Sequence, residues 1–205
     1  MKLRILFISI VLINFIPSLK AQFNPADGCI IDSNGECAPN AVLSAMPFLR
    51  IIPDARSGGM GDAGIAISPT SNSIHFNASN LVFAEKKSAL SANYTPWLQD
   101  LGVTDVYMAY LSGYNKIDDL QAIGASLRFF SLGKINFRDF NGNDIGDGSP
   151  RELELAATYA RKLGDNLSAS VTGKYLFSAL APGQIVGGLE ITNANAFAAD
   201  IGVSY

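Results

Sequence analysis

The sequence predicts an all-β fold, an antiparallel β-barrel that spans a membrane and carries a compact plug at its N-terminal side. Three observations predict it: an N-terminal export signal, long segments in which apolar and polar residues alternate, and a low content of charge. Only 16% of the 205 residues are charged and 48% are hydrophobic, against roughly 25% charged residues in soluble domains. The formal net charge is −3, whereas a dedicated nucleic-acid binder would have an excess of basic residues. The composition therefore argues against that class of protein.

Residues 1–21 have the three parts of a secretory signal peptide. Lys2 and Arg4 form a positive start, residues 5–16 form an apolar stretch, and Ala21 supplies the small residue before a cleavage point. The apolar stretch is shorter than the ~20 residues that a membrane-spanning helix needs. A cleaved signal is therefore favoured over a membrane anchor, and the mature protein is expected outside the inner membrane.

The first mature segment, residues 22–47, holds both cysteines of the chain, Cys29 and Cys37. They lie in a stretch rich in Gly, Asn and Asp, and export makes a disulfide permissible. We expect Cys29 and Cys37 to form a disulfide, with two free thiols as the alternative. A zinc site would need two more ligands than this segment offers.

Residues 48–86 are rich in glycine, and we call this segment the hatch. Gly59, Gly61 and Gly64 fit the spacing G-x-G-x-x-G. A dinucleotide site would require a strand before the motif and a helix after it. Pro53 precedes the glycines, Pro69 follows them, and no helical period is present. The sequence therefore predicts a compact plug that packs inside a barrel.

From residue 87 onward the dominant period is two, which is typical of strands with two different faces. In one segment Ile123, Leu127 and Phe129 alternate with smaller or polar residues. The predicted strands are 87–97, 103–114, 119–138, 151–162, 166–179 and 195–205. Most reach the ~9–11 residues that a tilted membrane strand needs, and they exceed the ~5–6 typical of soluble sheets.

Aromatic residues and connection lengths fit the same fold. Aromatic side chains recur near predicted strand ends, where a girdle at the membrane interface would lie: Tyr94, Trp97, Tyr114, Phe129, Phe130, Tyr159, Tyr175, Phe177 and Tyr205. The connections 114–118 and 164–166 are short, whereas 140–150 and 180–194 are long and alternate with them. Bacterial barrels show this asymmetry, with short periplasmic turns and long outer loops.

Six strands are fewer than the roughly eight of the smallest lipid-facing barrels. An open sheet would leave strand edges unpaired in lipid. We therefore expect residues 87–205 to be the first six strands of a longer barrel, whose remaining strands follow residue 205.

Two motifs of the hatch carry a resemblance to a known family. The first runs Pro-Asp-Ala-Arg-Ser-Gly-Gly-Met-Gly-Asp-Ala-Gly over residues 53–64, and the second runs Asn-Ala-Ser-Asn-Leu over residues 77–81. The chain resembles the outer-membrane barrel family that includes the fatty-acid transporter FadL. Together with the Cys29/Cys37 pair and Pro39-Asn40, the first motif resembles the PorV family of the type IX secretion system more specifically.

The resemblance implies a fourteen-stranded FadL-like barrel with an N-terminal hatch in the bacterial outer membrane. It also implies a shuttle that binds the C-terminal signal domains of secreted proteins and delivers them to the surface attachment complex. The implied partners are the giant translocon barrel, the signal domains of cargo, a complex containing the sortase-like protease PorU, and outer-membrane lipid, with no nucleic acid.

The candidate site residues fall into two groups and include no catalytic set. The hatch residues expected to fix the plug are Arg56, Gly58, Gly59, Gly61, Asp62, Gly64, Asn77 and Asn80. The outer-loop residues expected to contact cargo are Asn141, Ile145, Gln184, Ile185, Val186 and Leu189. Charged residues of the inner strand faces are expected to pair with one another or with the hatch: Arg128, Glu152, Glu154, Lys174 and Asp200.

Other chemistries are less well supported. His75 is the single histidine and has no Ser or Cys nucleophile motif beside it, so we expect no enzyme and no cofactor. Loop 139–147 carries several oxygen ligands but fails the EF-hand spacing, so a solvated loop is favoured over a calcium site. The main alternative function is a FadL-like transporter of hydrophobic small molecules. A third, a hydrolase acting on lipopolysaccharide, would need a nucleophile–base pair that this sequence does not supply.

Overall fold

A computed structural model describes residues 46–138, 142, 144–180 and 192–205, and four two-residue strands outside these ranges. The chain divides into two units, residues 1–45 and 46–205. Within the first unit, β1 (Phe23–Asn24) pairs with β2 (Cys29–Ile30) in an antiparallel ladder. The predicted signal peptide and Cys37 lie outside the described residues.

The second unit is dominated by a six-stranded antiparallel sheet in the order β12-β9-β8-β5-β4-β3. Its strands are β3 (Ser88–Pro96), β4 (Val106–Lys116), β5 (Gln121–Leu132), β8 (Arg151–Lys162), β9 (Ser168–Ala179) and β12 (Ala194–Ser204). Two small hairpins project between them, β6 (Ile135–Arg138) with β7 (Asp144–Gly148), and β10 (Ile185–Val186) with β11 (Leu189–Glu190). The all-β antiparallel fold predicted from the alternation is confirmed.

The predicted strand 119–138 is wrong after Leu132. β5 ends at Leu132, and Gly133 adopts a φ of 80°. A Cβ at this position would lie 2.8 Å from Oδ1 of Asp105, so the site accepts only glycine without rearrangement. The backbone N–H of Lys134 donates to Oδ2 of Asp105 at 2.7 Å. This turn redirects the chain into β6, and the loop predicted over 140–150 is largely the return strand of a hairpin.

The two faces of the sheet differ as the alternation predicted. One face carries Ile123, Leu127 and Leu155, all exposed, and we call it the outward face. The other face carries Ser126, Arg128 and Glu154, all buried, and we call it the inner face. The residues are buried because the hatch lies on this side.

The hatch is built from short helices and turns rather than from strands. It contains a 3₁₀ helix at Pro47–Arg50, an α-helix at Ala55–Gly59, a single α-helical turn at Ser73–Phe76 and a second 3₁₀ helix at Ala78–Phe83. No helix within the described ranges is both long and apolar enough to cross a membrane.

Apolar contacts hold the hatch at both ends of the sheet. Near the short turns, Ile74, Leu81 and Val82 pack with Ala122 and Ala160 of the inner face. At the opposite end, Phe48 packs with Met108 and Phe130. Three aromatics predicted for an interfacial girdle belong to the packing beneath the hatch instead, namely Trp97, Tyr114 and Phe130.

Candidate functional site: the hatch and the inner face

The centre of the interface between hatch and sheet is Arg128 of β5, whose side chain is 1% exposed. Its Nη1 donates to three carbonyl oxygens of the hatch, those of Phe48 (3.2 Å), Leu49 (3.1 Å) and Ile51 (3.3 Å). The guanidinium also lies 5.5 Å from the ring centroid of Tyr110. The planar guanidinium group has five N–H donors and can bond several acceptors at once. One residue of the wall therefore fixes a whole turn of the hatch.

His75 gives Arg128 a second attachment to the hatch. Nη2 of Arg128 lies 2.6 Å from Nδ1 of His75, and because arginine can only donate, Nδ1 is the acceptor. Burial lowers the pKa of His75 most, and the nearby cations Arg128 and Lys174 lower it further, to about 3. The carboxylate of Asp54 raises the pKa by a smaller amount. His75 is therefore a neutral structural acceptor at neutral pH.

A line of alternating charges crosses the inner face from Arg128. Nε of Arg128 lies 3.2 Å from Oε2 of Glu154, and Nζ of Lys174 lies 3.8 Å from Oε1 of the same carboxylate. Lys174 also lies 2.6 Å from Asp200 of β12. Buried charges persist only when they are paired, and the expected pairing of inner-face charges with one another and with the hatch is confirmed for these four residues.

A second polar contact centres on Asp54. Its carboxylate caps the Ala55–Gly59 helix by accepting from the backbone N–H groups of Arg56 and Ser57. Oδ1 also accepts from the side-chain amide of Asn72 at 2.9 Å, and Oδ1 of Asn72 accepts from the Ser112 hydroxyl at 2.8 Å. This chain connects the glycine-rich helix to strand β4.

The third contact joins the Asn77–Asn80 element to the last two strands. Nδ2 of Asn77 donates to the carbonyl of Val203 at 2.9 Å, and the Ser204 hydroxyl donates to Oδ1 of Asn80. The Ser168 hydroxyl donates to the carbonyl of Ser79 at 2.9 Å. Of the predicted hatch residues, Asn77 and Asn80 thus lie at the wall.

The four glycines of the hatch occupy different environments. A Cβ at Gly64 would overlap the ring of Phe76, and Gly61 adopts a φ of 70°, which glycine tolerates best. At Gly58 and Gly59 an added Cβ would meet no atom within 4 Å. Close packing among these four is therefore confined to Gly64. The described residues 46–57, which lead into the glycines, contain no strand, whereas a dinucleotide site would require one.

Arg56 and Asp62, expected to anchor the hatch to the wall, are both exposed. Within the described sheet, Asn72 and His75 are bonded to the wall, and Asp54 holds Asn72 in place. The sequence offered one signal for Asp54, because an acidic residue directly before a helix is a preferred N-cap. It offered none for Asn72 or His75, whose partners lie on strands far along the chain.

The predicted cargo-contact residues are described only in part. Ile185, Val186 and Leu189 belong to the β10–β11 hairpin, whereas Asn141 and Gln184 lie outside the described residues. Asp139 and Asn143 of the possible calcium loop lie outside them too. Where the structure describes the chain, no group of three or more His, Cys, Asp or Glu side chains could hold a metal ion. The cargo contacts and the Cys29–Cys37 disulfide stay predictions.

Comparison with protein families identifies the chain. The sequence model of the family described as type IX secretion system protein PorV matches residues 34–205, which includes the whole hatch and all six strands of the sheet. No curated protein matches the chain.

Proposed function

Because the chain belongs to the PorV family of type IX secretion system proteins, we propose that it is a non-enzymatic outer-membrane component of that system. In this role it binds the C-terminal signal domains of secreted proteins and delivers them to the surface attachment complex. The observation that carries the proposal is a sheet with one exposed apolar face and one polar face filled by the hatch.

The outward face supports a place in the outer membrane. Leu90, Phe197 and Ile201 are 76%, 85% and 80% exposed on it. Soluble monomers rarely expose contiguous apolar surface of this extent. Aromatic pairs lie near the end with the long connections, with ring centroids 5.4 Å apart for Tyr94 and Tyr107 and 6.0 Å apart for Tyr107 and Phe129. Such rings suit a membrane interface.

The inner face favours a partner-binding role over an open channel. In the described part of the barrel wall, Arg128 and Glu154 are occupied by the hatch and by each other. A transporter of hydrophobic molecules needs an apolar path past these groups. The hatch instead covers a polar surface and is hydrogen-bonded to it through Arg128, Ser112 and Ser168.

The end with the long connections is where we propose that cargo binds. The segments 97–105, 133–150 and 180–193 all emerge there, whereas 117–120 and 163–167 close the opposite end. The β6–β7 hairpin presents Ile135, 39% exposed, beside the exposed Lys134 and Arg138. Mixed apolar and charged surfaces of this kind suit protein recognition. The proposed partners there are the translocon barrel, the cargo signal domain and a PorU-type sortase complex.

Purification of the full-length protein from outer membranes tests this function. We expect secreted proteins that share one C-terminal domain to co-purify, together with components of the translocon. An unrelated tagged outer-membrane barrel, purified in parallel, is the control for non-specific capture. Bound fatty acid without any such protein would contradict the proposal and support the FadL-like transporter.

A further inference from the structure

The hatch is attached to the sheet at two apolar clusters that share no residue. The strap, which we define as residues 48–52, is attached through Phe48, packed on Met108 and Phe130. The lower hatch, which we define as residues 73–84, is attached through Leu81 and its neighbours, packed on Ala122 and Ala160. The strap lies at the end of the long connections, since β4 begins just before Met108 and β5 ends just after Phe130.

The two parts share one polar attachment, because Nη2 of Arg128 is also bonded to Nδ1 of His75 in the lower hatch, but their other polar attachments are different. The lower hatch is bonded to β9 and β12 through Ser79 and Asn77. The strap is bonded to the wall through the carbonyl oxygens of Phe48, Leu49 and Ile51, which all accept from Nη1 of Arg128. Loss of that guanidinium would leave the part-buried carbonyls of Leu49 and Ile51 without this donor, whereas the carbonyl of Phe48 would keep the Ile51 N–H. Acceptors that lose their partners away from water are unfavourable.

The boundary between the two parts is fixed independently of Arg128. Pro53 is fully buried, and Asp54 is held by Asn72, which in turn accepts from Ser112. Proline fixes its own φ and restricts the residue before it. Movement of the strap would therefore end at Ile52 and Pro53 and would not unseat the Ala55–Gly59 helix.

We propose that the strap is a separately opening part of the hatch and that Arg128 is the latch that keeps it closed. When the strap opens, Arg128, Tyr110 and Glu154 become accessible from the end with the long connections. The lower hatch loses only the bond between His75 and Arg128. It stays seated, because its apolar cluster and its bonds to β9 and β12 do not involve Arg128. The hatch thus has a second position on the side proposed to receive cargo.

Hydrogen exchange of the full-length protein in lipid nanodiscs tests the latch. The amides of Leu49 and Ile51 report on the strap, where they donate to the carbonyls of Met46 and Phe48. The amides of Asn80 and Ala84 report on the lower hatch, where they donate to the carbonyls of Asn77 and Leu81. Exchange at each pair follows local opening of that segment.

The variant is Arg128→Met combined with Glu154→Gln, which avoids an unpaired buried carboxylate. We expect at least about tenfold faster exchange at the strap amides, because charge-assisted bonds are lost, and less than about twofold change at the lower-hatch amides. Glu154→Gln alone is the matched control, because it removes the ion pair and keeps the three carbonyl bonds, and it should accelerate the strap less than the double variant does. If the double variant does not fold, Arg128→Lys keeps the charge beside Glu154 and removes the fork.

Three results would overturn the proposal. Equal acceleration of strap and lower hatch would show that the hatch opens as one unit. Unchanged exchange in the double variant, or in Arg128→Lys, would show that Arg128 is not the latch. Acceleration by Glu154→Gln alone as large as that of the double variant would assign the effect to the ion pair rather than to the carbonyl bonds.

Discussion

At the scale of single residues, the bond between His75 and Arg128 requires a neutral imidazole. Burial and the neighbouring cations Arg128 and Lys174 lower the pKa of His75 to about 3 in the seated hatch, whereas a released hatch regains the ordinary value near 6.5. Above pH 6.5 the imidazole is neutral in both the seated and the released hatch, so its titration does not change the free energy of seating. As the pH falls below 6.5, only the released hatch takes up the proton, so seating weakens progressively toward pH 3.

We therefore expect the hatch to become less protected between pH 7 and pH 5.5, by roughly 1 kcal/mol at pH 5.5 from this histidine. Protection factors for residues 73–77, corrected for intrinsic exchange rates, measure the effect. His75→Gln, which keeps an acceptor and cannot titrate, is the control and should show a flatter pH dependence. Equal slopes for wild type and His75→Gln would refute the assignment.

Glycine requirements in the hatch are a second prediction at this scale. Gly64→Ala places a Cβ against the Phe76 ring and should destabilise the protein by about 1–3 kcal/mol, as overpacking does. Gly58→Ala meets open space inside a helix and should be neutral or stabilising by up to about 1 kcal/mol. Urea unfolding in detergent compares the two variants. A larger loss for Gly58→Ala than for Gly64→Ala would be inconsistent with the packing described.

At the scale of elements, each strand presents its alternate residues to two different environments. Leu127, Leu155, Val171 and Ile201 all lie on the outward face, as the period-two pattern predicted. Their inner-face neighbours Ser126 and Ser170 are buried beneath the hatch. Comparison of Leu127 with Ser126 therefore cannot separate lipid exposure from crowding.

Ala199 and Ala198 of β12 are a better matched pair, because both are exposed and they point to opposite faces. Ala199 lies opposite Gly173 on the outward face, and Ala198 lies opposite Lys174 on the inner face. An arginine facing lipid near mid-membrane costs about 2–4 kcal/mol. We expect Ala199→Arg to lose about that much stability and Ala198→Arg, flanked by Lys174 and Asp200, to lose less.

The fraction of heat-modifiable folded protein in outer membranes, followed by urea unfolding, measures both variants. The wild type and a conservative Ala199→Val variant provide the baseline. Equal destabilisation by the two arginines would mean that the outward face of β12 does not contact lipid.

At the scale of the whole molecule, the two ends of the sheet are unequal. Residues 117–120 and 163–167 close one end tightly, whereas the other end carries two additional hairpins. Surface connections tolerate changes in length at small entropic cost, and binding residues concentrate on them. Loss of a hairpin should therefore impair function and leave folding intact.

We expect replacement of residues 183–188 by a tight turn to leave the barrel folded and to reduce the display of cargo at the cell surface. Barrel abundance and surface cargo are measured together in the same strain. A turn replacement at 163–167, on the opposite end, is the control and should leave cargo display intact. Normal abundance with normal display would remove the β10–β11 hairpin from the mechanism.

The sequence by itself determined the parts of this protein that depend on local periodicity. A period of two places side chains on opposite faces, so the composition of both faces and most strand positions could be predicted from residues such as Leu155 and Glu154. The turn at Gly133 could not, because it depends on Asp105, a residue from another connection. The packing of Tyr114 and Phe130 beneath the hatch could not be predicted either, because it depends on hatch residues far away in the sequence. Their positions near strand ends indicate a girdle instead.

Only the tertiary structure decided how the hatch is held. The bonds from Arg128 to Phe48, Leu49 and Ile51 span about eighty positions of the chain, and no sequence pattern links partners so far apart. Glycine motifs indicate where a backbone is permissive, but packing decides which glycine is needed, here Gly64 rather than Gly58. Hydrogen-bond partners are fixed by proximity in the folded chain, so the site could be described only once the strands were paired.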